Sequence, residues 1–136
     1  MENQNKDGVS IMTMSDVTDY FLDRGFSIDK LAEKTGVPRS DLDDLFANPL
    51  QDLTDATRLE RRLKKLYIRE RIKDMLRWSP FMGPARIREN LGISQEHYQN
   101  AYQTLLDLGE VCFEHEMPDW ATATNGKTVR KHTVVK

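Results

Sequence analysis

The segment Gly83–Val111, GPARIRENLGISQEHYQNAYQTLLDLGEV, leaves this chain few ways to fold. Its glycines and apolar spacing divide it into a helix at Arg86–Leu91, a turn at Gly92-Ile93-Ser94, a helix at Gln95–Leu108 and a reversal at Gly109. Gly92 suits a positive φ, and the Ser94 hydroxyl can cap the second of these helices. Tyr98, Ala101, Tyr102 and Leu105 recur at helical spacing, so one face of the second helix is expected to be buried. Glu96, Asn100 and Gln103 centre the opposite face, with His97 and Gln99 on its flanks. Asn and Gln each present a donor and an acceptor together, the combination that an adenine edge accepts in a major groove.

Leu91-Gly92-Ile93-Ser94, Tyr98, Ala101, Leu105 and Gly109-Glu110-Val111 leading into a strand together resemble the winged helix-turn-helix family of transcription regulators. The likeness covers about Arg69 to Lys136 and rests on pattern. The second helix departs from it in being polar and uncharged where many relatives place Arg, and in carrying Tyr102 where Leu is usual. The resemblance implies that this helix reads DNA. Gln95, Glu96, His97, Gln99, Asn100 and Gln103 would then be the base-facing residues, and Arg86, Arg88, Lys127, Arg130 and Lys131 would anchor phosphates. A plain helical hairpin in an ordinary core is the other reading of the same pattern.

At 136 residues the chain is long enough for one domain or two small ones. No apolar run approaches the roughly 18 residues of a membrane span, and no secretory signal is present, so a cytoplasmic protein is expected. Cys112 is the single cysteine, which excludes an intrachain disulfide and a thiolate zinc cluster. The net charge of -2 conceals an asymmetry. Met1–Glu60 carries 6 basic against 13 acidic residues, a net of -7, and Arg61–Lys136 carries 14 against 9, a net of +5. Phosphate would repel the first half and attract the second.

The first half begins with a leader, Met1–Thr13, expected to be disordered. Residues 14–54 form an acidic helix-turn-helix module. Ser15 is expected to cap a short helix lined by Val17, Tyr20 and Phe21 and closed at Gly25. Ser27 then caps a helix bearing Leu31 and Ala32, Gly36 makes a turn, and Pro38 sits in the first turn of a helix whose Leu42, Leu45 and Phe46 face inward. Leu31-Ala32-Glu33-Lys34, Gly36-Val37 and Leu42 are similar to the lambda-repressor-like helix-turn-helix family over about twenty residues. The outward positions of that second helix hold Asp41, Asp43 and Asp44, and only Arg39 and Ser40 could approach a phosphate. This face is either a solvated acidic surface or a docking face for a basic partner.

Asn48-Pro49 breaks the helix, Leu50–Thr54 connects, and Thr54 or Asp55 is available to cap the next helix. Ala56–Trp78 has neither Gly nor Pro and is expected to be one long helix, bridging the modules over residues 55–68 and opening a winged domain at 69–136. Leu59, Leu63 and Leu66 form one stripe, offered to the N-terminal module or to a second copy in a homodimer. Ile68, Ile72, Met75 and Leu76 form another. Arg58, Arg61, Arg62, Lys64, Lys65, Arg69, Arg71, Lys73 and Arg77 read as a solvated basic face or as phosphate contacts. Trp78 and Phe81 are expected to cap the core.

Val111 and Phe113 alternate with polar neighbours as a half-buried strand, with a bend from Glu114 to Asp119 around Pro118. Ala121–Thr124 and Thr128–Val135 flank Asn125-Gly126, a strong hairpin signal, and are expected to pair as the wing or as a plain edge hairpin. His97, His115 and His132 are scattered, and neither a phosphate loop nor a nucleophile elbow occurs, so no enzyme and no cofactor are expected.

The expected fold is therefore mainly α, an N-terminal helix-turn-helix bundle joined by a long helix to a C-terminal winged helix with a small β-hairpin. The expected function is sequence-specific binding of double-stranded DNA as a transcriptional regulator, of phage or plasmid type. Two alternatives stay open: a protein-interaction module that binds a regulator or polymerase through its acidic face, or a replication or packaging factor that marks a DNA site.

Overall fold

A computed structural model describes residues 13–48, 58–116 and 129–136. Among them the fold is mainly helical, with six helices and one two-stranded antiparallel sheet. The helices are α1 (Met14–Asp23), α2 (Ile28–Thr35), α3 (Arg39–Ala47), α4 (Arg58–Trp78), α5 (Pro84–Leu91) and α6 (Gln95–Asp107). The strands are β1 (Val111–Glu116) and β2 (Val129–Val134). The chain divides into two compact units, Met1–Ile68 and Arg69–Lys136, with the boundary inside α4. No described helix is long and apolar enough to cross a membrane.

In the first unit the start of α1 is set by Thr13 rather than Ser15. Thr13 is extended at φ -109° and ψ 161°, and its hydroxyl accepts from the Asp16 N–H at 3.1 Å. Asp16 returns the bond to the Thr13 N–H at 3.1 Å, which satisfies two end donors at once. Ser27 caps α2 as expected, and Gly36 closes it at φ 74°, a left-handed conformation that glycine adopts without strain. Pro38 is the N-cap of α3 and not part of its first turn; it offers no side-chain bond, and Asp41 supplies the acidic charge near that helix end. Leu42 is fully buried, but Leu45 and Phe46 are only half-buried, because α3 ends at Ala47 before its second turn is covered.

Met14, Val17, Phe21, Leu31, Val37, Leu42, Leu63, Leu66, Tyr67 and Ile68 are the buried apolar residues among the described residues of this unit. Aromatic edges lock α1 onto α4, with Tyr67 at 5.1 Å from Tyr20 and 6.4 Å from Phe21 between ring centroids, and Phe21 also meets Phe26 of the following turn at 5.0 Å. Leu63 and Leu66 are thus already covered within one chain and are not free to face a second copy; Leu59 alone of that stripe keeps some exposure. The leader Met1–Met12, the 49–57 connection with its proposed Thr54 or Asp55 cap, and Ala56 lie outside the described residues.

In the second unit Ile72, Leu76, Ile87, Leu91, Ile93, Tyr98, Tyr102, Leu105 and Val111 are buried. α5 begins at Pro84, two residues earlier than expected, because proline at the first helical position needs no N–H partner and is already set to a helical φ. Gly92 ends α5 at φ 67°, and its N–H donates to the Arg88 carbonyl at 2.7 Å. Ser94 caps α6 through the His97 N–H at 3.1 Å.

β1 does not bend at Glu114; it runs to Glu116 and pairs with β2 in the register Val111↔Val134, Phe113↔His132 and His115↔Arg130. The strand at 129–134 therefore takes β1 as its partner, whereas Ala121–Thr124, Asn125-Gly126 and Lys127 lie outside the described residues. The alternation in Val111–Phe113 continues past Phe113 because each residue to Glu116 finds a partner across the ladder. On its other side β2 is held by the His132 N–H, which donates to the Pro80 carbonyl at 2.8 Å. Trp78 is not a core cap: it is 83% exposed at the end of α4.

The expected basic face of α4 is also interrupted. Lys73 is 3% exposed, with its Nζ 2.8 Å from Glu110 Oε1 and 2.8 Å from Glu70 Oε2, and it donates to the main-chain oxygen of Lys136 at 3.1 Å. Burial lowers the pKa of the Arg69 guanidinium, an effect opposed by Glu110 and Glu70. Lys73 belongs to the interior and not to a phosphate surface, and Arg69 is half-buried. A buried ammonium is tolerable only with its counter-charges, and removing it strands two carboxylates. Lys73→Ala is accordingly expected to cost about 3 kcal/mol in urea unfolding, part of which Glu70→Gln in the same chain recovers. A loss under about 1 kcal/mol would mean that these charges behave as surface groups.

Candidate nucleic-acid interface

α6 carries the residues that matter most. Ser94 and Gly92 fix its first turn, and Tyr98, Tyr102 and Leu105 anchor its inner face, which leaves the remaining side chains pointing away from the core. Gln95, Glu96, His97, Gln99, Asn100 and Gln103 are all exposed. They do not, however, form one surface.

An open groove of about 870 Å³ runs along α6 and is lined on its other sides by α5 and the sheet. Gln95, Gln99, Asn100 and Gln103 line it together with Arg88 of α5 and Arg130 of β2. Glu96 and His97 are outside its lining, as are Arg86 and Lys131, and Lys127 is outside the described residues. The centre of the amide face thus shifts from Glu96, Asn100 and Gln103 to the stripe Gln95, Gln99 and Gln103, spaced four residues apart. The hairpin folds back toward that side of the helix, a direction that helical periodicity does not encode.

The groove is electrostatically one-sided, with two arginines and no Asp or Glu in its lining. The Arg130 guanidinium lies over the Phe113 ring, 4.3 Å from its centroid, and is exposed. Arg88 is half-buried, and its Nε is enclosed without a hydrogen-bond partner. An enclosed N–H left unpaired is costly. Gln103 is partly engaged already, donating from Nε2 to Asp107 Oδ1 at 2.9 Å.

Beneath the groove lies a contact that sequence spacing did not disclose. Tyr102 Oη and His132 Nδ1 are 2.6 Å apart in a buried pair that ties α6 to β2. Burial pushes the Tyr102 hydroxyl up to about 12, so it stays protonated. Burial, and then the Arg130 charge, hold His132 below its usual value. The arrangement that keeps both groups neutral has the Tyr102 O–H donating to Nδ1, with the histidine proton on Nε2. Tyr102 thus has a structural partner in His132, 30 positions away in the chain.

In the first unit Asp43 and Asp44 are exposed and Asp41 is half-buried. Arg39, expected as a phosphate contact, is paired with Asp29 at 2.6 Å. No group of three or more metal-ligating side chains occurs among the described residues. The chain matches no family model, no curated protein and no solved structure.

The Tyr102–His132 contact makes stability depend on pH. Folding lowers the His132 pKa, so its contribution is complete above the unfolded value near 6.5 and is lost as pH falls below that toward the folded value. Thermal unfolding from pH 7.5 to 5 is expected to move to lower temperature with acid, and His132→Gln to reduce that slope. An unchanged slope in the variant assigns the acid sensitivity to other groups.

Proposed function

We propose that the Arg69–Lys136 unit is a winged-helix module that binds double-stranded DNA with sequence preference, acting as a transcriptional regulator. The order α4–α5–α6–β1–β2, three helices followed by a two-stranded antiparallel pair, supports this reading. In this reading α6 enters the major groove and the β1–β2 hairpin is the base of the wing. The observation that carries the proposal is the groove in which four amide side chains and two arginines converge with no carboxylate among them. Amides supply paired donors and acceptors for base edges, and guanidiniums supply the phosphate contacts that set register.

Gln95, Gln99, Asn100 and Gln103 are then the base-reading set, with Arg88 and Arg130 on phosphates. The first unit stands apart from this role by its charge, since Asp43 and Asp44 face solvent and Arg39 is already paired. A docking role for that acidic face, toward a basic protein partner, is compatible with DNA binding by the other unit.

Fluorescence anisotropy on duplex DNA across a salt series tests the proposal. Affinity should fall linearly on a log–log plot with a slope of several released counterions, and Arg130→Ala should weaken every sequence alike. Once a preferred sequence has been selected, Asn100→Ala should cost about 1–3 kcal/mol on that sequence alone. Absence of duplex binding at low salt removes the proposal; binding that ignores Asn100→Ala removes the orientation of α6.

A further inference from the structure

The α6 groove offers more than a duplex can use. A base inside a double helix presents only its edge, because both of its faces are covered by stacked neighbours. The amides Gln95, Gln99, Asn100 and Gln103 address an edge. Arg130 addresses a face. Its guanidinium carbon lies 4.3 Å from the Phe113 ring centroid, so the cation is backed by the ring, and Arg130 is exposed and lines the same groove. Arginine planes and aromatic rings are the platforms on which unpaired bases stack. Arg88 lines the same groove and adds a guanidinium charge for a phosphate.

Resting on the reading of this groove as a nucleic-acid site, we infer that it holds an unpaired nucleotide. The base stacks on the Arg130 guanidinium, its edge meets the α6 amides, and its phosphate meets Arg88. Face and edge of one base are reachable together only when that base is out of the stack, as in a single strand, a melted segment or an extruded nucleotide. The volume of about 870 Å³ lies within the range of sites that enclose a ligand of this size. No acid is itself in the lining, and two arginines are.

The test uses the full chain and two fluorescent probes of about twelve nucleotides, oligothymidylate and the same strand paired with oligodeoxyadenylate, a length within single-strand site sizes. The single strand is expected to bind about tenfold tighter than the duplex at equal salt. Arg130→Lys keeps the charge and removes the plane, so it should lower single-strand affinity about tenfold and duplex affinity by a smaller factor, erasing that preference. Coincident thermal unfolding of the variant and the parent chain guards against a folding artefact. Equal or weaker binding of the single strand overturns the inference and leaves the duplex-binding proposal standing. An equal loss on both probes in Arg130→Lys overturns it too, since Arg130 would then act only on the backbone. Failure to bind either probe removes both readings.

Discussion

The second unit depends on one buried cation. Lys73 sits in the middle of α4, almost without solvent, and holds Glu70 on its own helix, Glu110 just before β1 and the main-chain oxygen of Lys136 beyond β2. A desolvated ammonium is stable only where acceptors surround it, so the opening helix and both ends of the sheet must arrive at the same place. Neighbouring bonds reinforce that junction. The Val135 N–H donates to the Glu110 carbonyl at 2.8 Å, and Arg77 reaches the same Lys136 oxygen at 3.3 Å. An apolar residue at position 73 would pack, but it would not specify which strand end lies against α4.

With the sheet placed, α6 acquires two different surfaces. Its inner side is aromatic, with Tyr98 and Tyr102 stacked at 5.8 Å and Tyr102 bonded to His132 on β2. Its outer side faces a groove whose far wall is the same strand, through Arg130 two residues from His132. The contact that orients the helix and the cation that charges the groove thus sit on one strand, in alternate register positions. Alternation puts successive side chains on opposite faces and residues two apart on the same one, so Arg130 and His132 share a face by necessity.

Charge is used differently in the two units. In the second, acids are drawn inward to neutralise Lys73, or stay at the helix end as Asp107 does, and the groove is left to arginines. In the first, three basic side chains of the α1–α3 segment are engaged: Arg39 by Asp29, Arg24 over Tyr20 at 5.2 Å and Lys30 over Phe26 at 4.5 Å. Asp43 and Asp44 remain toward solvent. A formal net charge of -2 says little about either surface, because what a partner meets is set by which charges are already engaged.

Local structure was legible in the sequence by itself, since its causes lie within four residues of each other. Gly36 and Gly92 mark helix ends, Ser27 and Ser94 mark starts, and the spacing of Tyr98, Tyr102 and Leu105 assigns the inner side of α6. Even the misplaced start of α1 was a competition between two nearby hydroxyls, decided by the reciprocal bond that Asp16 returns to Thr13. Tertiary structure alone decided that Lys73 would be interior while its equally basic neighbours were not. It also decided that 129–134 would pair with 111–116, and that Tyr102 would meet His132. Those contacts join residues 37 and 30 positions apart in the chain, and helical or strand periodicity carries no information at such range. The groove belongs to the same class: every lining residue was visible in sequence, but their convergence waited on the strand that closes the far side.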